Sequence, residues 1–420
     1  MAEKRNKIDR RDFLKTVGAA GLGSAFAGVT NVFASTALPA SPNEPNLTGP
    51  NSPVEEKLKI PLRSLGKTGV KVSCVSLGAN RLDSIIILKA AIQNDVTFFD
   101  TASGYMGGNS EATIGKLLES DSKLRKKVFI ATKASRARTP EDIENRLNTS
   151  LERMKTDYVD LYHFHGLSEP SVLTDDLRKW VEKAKKQKKI RFFGFSIHSN
   201  MPQCLTAAAK LGWIDAIMTS YNFRLMLDDD MKKAIDTCQK AGVGLIAMKV
   251  LGLRIRDGGA FTEEDKKVYK HFIEKGYTEL QARIKSILQD GKIASACIGM
   301  KSVSELQENI KSVINKKELT KNDQQVLRNY AHSTRSDYCA GCAEICSSAC
   351  PDMPYTADIM RYMMYYNSYG GRDEARELFA QIPGRVRNKL LSMDYSLAEA
   401  RCPQHLPIGE LIAEAVSKLA

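Results

Sequence analysis

The chain lacks the features by which nucleic-acid-binding proteins are usually recognised. Its 420 residues carry 62 Lys and Arg against 49 Asp and Glu, which gives a formal net charge of +13. Part of this excess lies in the N-terminal segment and in the run KAKKQKK at residues 183–189. Surfaces that bind nucleic acid usually combine basic residues with aromatic ones for base stacking, and no aromatic residue interrupts this run. We therefore expect no nucleic-acid partner and interpret the run as the solvated end of a helix.

The N-terminus also lacks a stretch suited to spanning a membrane. A Gly- and Ala-rich run from Val17 to Val32 is short and broken by glycines, whereas a spanning helix needs about 20 apolar residues. The run follows Arg10 and Arg11 and ends at the small residues before Ala34, as in a twin-arginine export signal. Residues 1–34 are therefore predicted to be a signal peptide that engages the twin-arginine translocase. The predicted location is periplasmic, or otherwise exported. The alternative is a disordered basic tail.

Residues 35–57 contain five prolines among polar residues and predict an extended linker without a core. From Val72 to Met300, eight short apolar runs alternate with amphipathic stretches. The predicted strands are Val72–Leu77, Val96–Phe99, Val128–Thr132, Tyr158–Phe164, Ile190–Ser196, Ala216–Tyr221, Val243–Met248 and Ala294–Gly299. This alternation predicts an α/β protein with a (β/α)8 TIM barrel over residues 58–317. Residues 318–420 are predicted to form a small, mostly helical, cysteine-containing domain.

Four polar side chains lie at or just after the carboxyl ends of predicted barrel strands. Asp100, Lys133 and His165 end three strand runs, and Tyr105 lies in the loop after the first of them. Singly, these residues have ordinary structural explanations, such as a helix cap or a buried histidine. Together at one end of a barrel they predict an active site, because the carboxyl ends of the strands form its mouth. Strand alternation places His163 on the same face as His165, so periodicity does not separate them.

Several motifs occur in order along the same barrel. They are Leu65-Gly66-Lys67-Thr68-Gly69, Phe99-Asp100-Thr101-Ala102 with Tyr105, Gly108-Asn109-Ser110-Glu111, Ala131-Thr132-Lys133 and Asp160-Leu161-Tyr162. On these motifs the chain resembles the aldo-keto reductases over roughly residues 58–314. The resemblance implies that Tyr105 donates a proton, that Lys133 eases its loss, that Asp100 holds Lys133, and that His165 orients the carbonyl. His165 is preferred to His163 because it matches the histidine position of the family.

The resemblance also implies a nicotinamide cofactor. Ser196, Asn222 and Lys249 would lie near the nicotinamide, and Lys301, Ser302, Glu308 and Asn309 near the adenosine end. Lys301 and Ser302 suit a ribose 2′-phosphate, which favours NADP, with NAD as the alternative. Glu305 would repel that phosphate.

The C-terminal part concentrates five of the nine cysteines. Cys339, Cys342, Cys346 and Cys350 span twelve residues, and both Cys350 and the later Cys402 precede a proline. Thiolates at this spacing, followed by proline, are typical of ligands to a 4Fe-4S cluster. The fourth ligand is either Cys350 or Cys402, and zinc or disulfides remain the alternatives. Cys74, Cys204, Cys238 and Cys297 are interpreted as small core residues.

These features together predict an exported oxidoreductase that interconverts a carbonyl and an alcohol, with a small, sugar-like substrate. The cluster would exchange electrons with the nicotinamide or with an electron-transfer partner. Two other hypotheses remain: a non-catalytic binding barrel, and an electron-transfer subunit in which the barrel is a scaffold.

Overall fold

The computed structural model describes residues 59–255 and 262–420. The predicted signal peptide at 1–34 and the predicted linker at 35–57 lie outside the described residues. Within the described part, no helix has the length and apolar character needed to cross a membrane.

Eight parallel strands close into a barrel in the order β10-β3-β4-β5-β6-β7-β8-β9. Their bounds are β3 Val75–Gly78, β4 Phe98–Asp100, β5 Phe129–Ala134, β6 Val159–Leu167, β7 Ile190–Ile197, β8 Ala216–Ser220, β9 Gly244–Met248 and β10 Ser295–Gly299. The eight predicted barrel strands and the fold class are thereby confirmed. One predicted run, Val72–Leu77, is divided at Cys74 between β3 and the preceding strand.

The barrel core follows the alternation of side chains along each strand. Phe98, Leu161, Met218 and Ile246 are buried in a cluster that fills the interior. Residues between them in sequence, such as Phe99 next to Phe98, belong to the cluster that packs against the surrounding helices. Strands buried on both faces read as nearly continuous apolar runs, which is why they could be found in the sequence.

An antiparallel hairpin of β1 (Leu62–Ser64) and β2 (Lys71–Ser73) precedes the barrel. Leu65, just after β1, is fully buried in the interior cluster. Gly66 has a φ of +53°, and a Cβ there would lie 2.4 Å from the carbonyl oxygen of Gly242. Only glycine allows this close approach, so the first family-like motif closes the end of the barrel opposite the site.

Helices lie between the barrel strands, and two more follow the last strand. They are α1 Ile85–Gln93, α2 Asn109–Ser120, α3 Leu124–Lys127, α4 Pro140–Met154, α5 Asp175–Lys186, α6 Met201–Leu211, α7 Asp229–Lys240, α8 Glu263–Ile273, α9 Glu279–Leu288, α10 Val303–Ile314 and α11 Lys321–Ser333. Helix α4 begins as the sequence predicts, because Thr139 and Asp142 form a capping box and Pro140 takes the first position. The lysine run at 183–189 lies at the end of α5, as predicted.

The C-terminal segment contains α12 Ala343–Ala349, α13 Thr356–Asn367, α14 Arg372–Ala380, α15 Gly384–Arg387, α16 Ser396–Arg401 and α17 Ile408–Leu419. It packs on the barrel mouth through hydrogen bonds between distant parts of the chain. The amide nitrogen of Asn222 donates to the Tyr338 hydroxyl at 2.9 Å, and the backbone nitrogen of Asn200 donates to the Gly341 carbonyl at 2.8 Å. Asn367 donates to the Ile255 carbonyl at 2.9 Å. The residues that directly follow β7 and β8, and those from β9 to Ile255, are therefore held by this segment.

Candidate active site

Lys133 is the centre of a buried polar group at the end of β5. Its ammonium donates to Asp100 Oδ2 at 2.6 Å and to the Thr101 carbonyl at 2.7 Å, and it lies 3.5 Å from the Tyr105 hydroxyl. The Lys133 and Asp100 side chains are 1% and 4% exposed. Water therefore does not screen the pair, and its charge is fixed at a short distance from the phenol.

His165 completes the group from the neighbouring strand β6. Its Nδ1 lies 2.8 Å from Ser135 Oγ, while Ser135 Oγ accepts the Gly104 backbone N–H at 3.1 Å. The Ser135 hydroxyl hydrogen is then free to donate to Nδ1, which favours the tautomer that carries its proton on Nε2. The Tyr105 and His165 rings meet edge to face at 5.8 Å. The structure thus brings together all four predicted catalytic residues, and it leaves two neutral donors beside one cavity.

The electrostatics keep both donors protonated or neutral. Burial raises the pKa of the Tyr105 phenol well above its ordinary value, and the charges of Asp100 and Glu374 add to this. Burial also lowers the pKa of His165 to about 3, with Lys133 and Arg361 contributing. In the resting site these effects hold the proton on the phenol, and the predicted role of Lys133 in easing its loss stays a prediction.

The motif at 108–111 supports these strand ends from behind. Ser110 Oγ lies 2.7 Å from Thr101 Oγ1 and donates to the Ala79 carbonyl at 2.7 Å. The buried Glu111 carboxylate accepts from Thr132 Oγ1 at 2.6 Å. Since Thr101 and Thr132 adjoin Asp100 and Lys133, these contacts hold the charged pair in place.

His163 occupies a different environment from its competitor. It is fully buried, and neither ring nitrogen has a hydrogen-bond partner among the described residues. Burial and the neighbouring Lys133 lower its pKa well below the ordinary value. Of the two histidines, His165 lines the cavity that Tyr105 and Asp100 also line.

This cavity has a volume of about 500 Å³ and extends from the tetrad to the start of α10. Met218 and Met248 contribute to its wall on the barrel side. Its roof comes from the C-terminal segment, where Tyr365, Tyr369 and Glu374 face the tetrad. A ligand at Tyr105 would therefore contact both the barrel and the segment appended to it.

Lys249 lies between the cavity and the roof. It has a left-handed backbone with a φ of +53°, and its ammonium lies 3.1 Å from the Tyr365 hydroxyl and 4.2 Å from the centre of that ring. Burial and the neighbouring Arg361 lower the pKa of its ammonium well below the ordinary value. The sequence prediction placed Lys249 near the nicotinamide; the structure places it against an aromatic roof that sequence reasoning did not connect to it.

Two residues predicted to contact the nicotinamide have other partners. Ser196 Oγ accepts the Gly166 backbone N–H at 3.0 Å. Asn222 donates to the Lys249 carbonyl at 3.1 Å and to the Tyr338 hydroxyl at 2.9 Å. Its side-chain oxygen accepts the backbone N–H groups of Arg224 and Leu225. The Asn222 amide therefore connects two parts of the fold, and no donor of its side chain is left for a carboxamide.

The residues predicted at the adenosine end lie at the far end of the cavity. Lys301, Glu308 and Asn309 line it, whereas Ser302 caps α10 by accepting the Glu305 backbone N–H at 3.1 Å. The Glu305 carboxylate in turn accepts the backbone N–H of Lys301 at 2.7 Å. The Glu305 carboxylate thus already binds the Lys301 backbone N–H at the start of α10. A phosphate would otherwise be favoured at this position.

The comparison with known sequences decides the family. A sequence model described as the aldo/keto reductase family matches residues 75–329. The chain belongs to the aldo/keto reductase family.

Curated relatives of this reductase include L-galactose dehydrogenase of Arabidopsis thaliana, 28% identical over 288 residues, which cover 61% of this chain and 88% of the relative. Aldo-keto reductase AMT2 of Alternaria alternata is 24% identical over 315 residues, with 59% and 85% covered. Among solved structures, the holo form of AKR11C1 from Bacillus halodurans covers 64% of this chain and 96% of its own, with a TM-score of 0.54. At 20% identity that likeness shows the fold alone. The thermostable aldo-keto reductase Tm1743, in complex with epalrestat, is 25% identical at the same TM-score of 0.54, with 64% and 99% covered.

The cysteine segment of the reductase lies on the barrel mouth. All nine cysteines are free, and none of the described residues form a group of three or more His, Cys, Asp or Glu arranged to hold a metal ion. Burial raises the pKa values of Cys339, Cys342 and Cys346 to about 12. In each case neighbouring cysteines, Cys402 among them, raise the value further. Cys339 and Cys342 are partly exposed and Cys346 and Cys402 are buried, and Cys402 lies close enough to act electrostatically on the other three.

Cys350 and Cys402 differ in their surroundings. Cys350 donates from its thiol to the Asp394 carbonyl at 3.7 Å, on the side of α16. Cys402 influences Cys339, Cys342 and Cys346, whereas Cys350 influences Cys346 of those three. The choice between Cys350 and Cys402 therefore stays a prediction, and the electrostatic effect of Cys402 on all three of the other cysteines favours Cys402.

Sequence reasoning missed several residues that shape the site of the reductase. Ser135 follows Lys133 by two positions, so strand alternation could have placed it on the same face. Cys297 was interpreted as a core residue, but it also lines the cavity near Asp100. Arg81 and Glu374 gave no signal, because their relation to the site arises only when the C-terminal segment folds over the barrel.

Proposed function

We propose that this aldo/keto reductase interconverts a carbonyl and an alcohol with a bound nicotinamide dinucleotide. The observation that carries the proposal is Lys133, held 2.6 Å from Asp100 and 3.5 Å from the Tyr105 hydroxyl at the wall of a cavity. A phenol with a raised pKa and a neutral histidine are hydrogen-bond donors, which suits stabilisation and protonation of a developing alkoxide.

Each side chain then has a defined task. Tyr105 donates its proton to the alkoxide oxygen, and the nearby ammonium of Lys133 stabilises the resulting phenolate. His165 donates from Nε2 to the same oxygen and so orients the carbonyl. Asp100 keeps Lys133 in position. When bound, the nicotinamide supplies or accepts the hydride, which none of these side chains can do.

The cavity supports a dinucleotide in its extent, because it runs without interruption from the tetrad to Lys301 and Asn309. Those two residues would hold the adenosine end. NADP remains the first candidate on Lys301, while Glu305 opposes a 2′-phosphate. At the nicotinamide end, Ser196 and Asn222 have other partners, so Met218, Met248 and Lys249 would form the surface that the ring meets.

The substrate class is supported by the relative named L-galactose dehydrogenase, which points to a sugar-like carbonyl or alcohol. The first experiment measures NADPH and NADH oxidation with a panel of small aldehydes and sugars, and dinucleotide binding by fluorescence. Tyr105→Phe should lower kcat about 100- to 10,000-fold, because it removes the acid, and should leave dinucleotide binding intact. A Tyr105→Phe protein that keeps its activity would remove Tyr105 from this role.

We further propose that Cys339, Cys342, Cys346 and Cys402 hold a 4Fe-4S cluster. The thiols lie near one another and form no disulfides. The sulfur ligands of a cluster also lie farther apart than the ligands of a single metal ion. Cys402→Ser should lower iron content and the visible iron–sulfur absorbance of anaerobically purified protein, and Cys350→Ser should leave both unchanged. The reverse result would make Cys350 the ligand, and iron-free wild-type protein would end the proposal.

Electron exchange between this cluster and the barrel is supported by a second, small cavity of about 30 Å³. Cys339 lines it together with His198 and Lys249, and the latter two also line the main cavity. Adding NADPH anaerobically should bleach the visible band with about half an equivalent of NADPH per cluster, because one hydride carries two electrons and each cluster takes up one. A band that stays unchanged while NADPH binds would leave the cluster with a structural role.

Export by the twin-arginine route is proposed on the sequence of residues 1–34. Replacing Arg10 and Arg11 by lysine should retain the protein in the cytoplasm, as measured by fractionation. Export of the doubly substituted protein at the wild-type level would exclude this route.

A further inference from the structure

Two charged side chains line the cavity without a hydrogen-bond or ion-pair partner among the residues that the structure describes. Arg81 follows β3, and Glu374 lies in the first turn of α14; both line the cavity together with Tyr105 and His165. Neither forms a hydrogen bond or an ion pair with another described residue. Unpaired charges at a cavity wall cost free energy unless water or a ligand satisfies them. They are therefore candidates for ligand recognition.

The two side chains converge on one point beside the glycine pair at 370–371. A Cβ built on Gly371 would lie 3.0 Å from Arg81 Nη2 and 3.3 Å from Glu374 Oε2. A Cβ on Gly370 would lie 2.8 Å from Arg81 Nη1. Glycine at these positions leaves the guanidinium room to lie against the roof. Arg81 and Glu374 thus approach each other but stay farther apart than an ion pair at 4.0 Å.

Glu374 is also close to the predicted catalytic residues. Its charge acts on Tyr105, after the larger effects of burial and Asp100. Burial raises the pKa of Glu374 itself, and Lys249 and Arg81 partly offset this. Glu374 is exposed to solvent, so its carboxylate is accessible to a ligand. A group bound to Glu374 would therefore lie near the tetrad.

The gap between Arg81 and Glu374 selects for a particular chemical group. A guanidinium only donates hydrogen bonds and a carboxylate only accepts them, whereas a hydroxyl does both at once. A ligand carboxylate would be repelled by Glu374, and an alkyl group would leave both charges without a partner. The ring of Tyr365 and the buried Tyr369 hydroxyl, which has no hydrogen-bond partner among the described residues, adjoin the same space.

We propose that Arg81 and Glu374 are specificity-determining residues that bind a hydroxyl group of the substrate. The reductase then acts on polyhydroxylated, sugar-like carbonyls or alcohols and discriminates against simple ones. This inference rests on the proposed function and adds that the C-terminal segment supplies half of the recognition site.

The test uses the full chain and two aldehydes with the same carbon skeleton, D-glyceraldehyde and propanal, with glycerol and propan-1-ol for the reverse direction. Wild-type protein should favour the hydroxylated member in kcat/KM by about 10- to 100-fold, because only its hydroxyl forms hydrogen bonds to the Arg81 and Glu374 charges. Glu374→Gln should raise KM for D-glyceraldehyde about 10-fold with kcat little changed, since it replaces a charge-assisted hydrogen bond by a neutral one. It should leave KM for propanal unchanged, and the small effect of the Glu374 charge on Tyr105 should change kcat for both aldehydes alike.

Glu377→Gln is the matched control. It removes the same charge one turn along α14, where Glu377 is 71% exposed and lies 3.9 Å from Arg136. If Glu374→Gln raised KM equally for both aldehydes, the inference would be overturned and the proposed function would stand. The same holds if wild-type protein had equal kcat/KM values for both aldehydes. Turnover of none of the four compounds would count against the proposed function itself, and the inference would fall with it.

Discussion

The barrel and the C-terminal segment contribute to one cavity, but they do so by different kinds of contact. In the barrel, Asp100, Lys133 and His165 end neighbouring strands β4, β5 and β6, so the regular ladder brings them together. The roof depends on single hydrogen bonds between residues far apart in the chain, such as Asn222 with Tyr338 across 116 positions. The predicted catalytic residues are thus positioned by a repeated architecture, and the roof of the cavity is positioned by individual contacts.

The largest expected effect lies within the barrel. Lys133→Met should destabilise the protein by about 3–5 kcal/mol, because it leaves the buried carboxylate of Asp100 without its counter-ion. It should also abolish carbonyl reduction. Denaturant unfolding measures the first effect, and the Lys133→Met, Asp100→Asn double variant should recover part of the stability. Unchanged stability of the single variant would mean that the pair is not buried as described.

A smaller effect is expected where the two regions meet. The Asn200 side chain accepts the Glu344 backbone N–H at 2.9 Å, and its own backbone N–H binds Gly341. Asn200→Ala should cost about 2 kcal/mol, because it removes the side-chain hydrogen bonds to Glu344 and to the Ser168 carbonyl and places alanine at a φ of +49°. It should also speed amide exchange in residues 339–350. The strands of the barrel should exchange at the wild-type rate. Uniform acceleration throughout the chain would show that barrel and segment unfold as one unit.

Cofactor preference tests a part of the barrel that the roof does not provide. Glu305→Gln should lower KM for NADPH about 3- to 10-fold and leave KM for NADH nearly unchanged, since it removes a negative charge near the predicted 2′-phosphate position. Steady-state kinetics with both nucleotides measure this ratio. Equal changes for both would place Glu305 away from the phosphate.

The smallest expected effect concerns pH: the activity should not follow the titration of a histidine. Because the pKa of His165 is lowered to about 3, kcat should show no inflection near pH 6.5. The pH dependence of stability is opposite to that of a histidine in an ion pair, whose stabilising contribution is present at low pH. The unfolded chain binds a proton at His165 below pH 6.5 while the folded chain does not, so stability should fall between pH 6.5 and pH 3. His165→Gln should reduce that loss, as measured by unfolding at several pH values.

The sequence predicted the barrel because its information is local. Apolar runs, the cap at Thr139 and the polar residues at strand ends each lie within a few positions, and the eight barrel strands were found this way. The tetrad residues lie together in the structure for the same reason. The boundary within Val72–Leu77 was missed because β2 and β3 are nearly continuous in sequence, with Cys74 alone between them.

The remaining features depended on contacts that no local pattern encodes. Asn222 could be assigned to a cofactor only while its partner Tyr338 was unknown. Cys350 and Cys402 could not be distinguished by spacing, because the direction of each side chain depends on how α16 packs. Arg81 and Glu374 are nearly 300 positions apart in the chain, and each alone resembles an ordinary surface charge.

The shared cavity has a thermodynamic consequence for the interface between the barrel and the C-terminal segment. A ligand that touches Tyr105 below and Tyr365 above binds only when the two parts are in contact. Its binding free energy is then added to the free energy that holds them together, so a saturated protein resists separation of the segment more strongly than an empty one. A bound ligand therefore raises the free energy needed to separate the cysteine-bearing segment from the barrel.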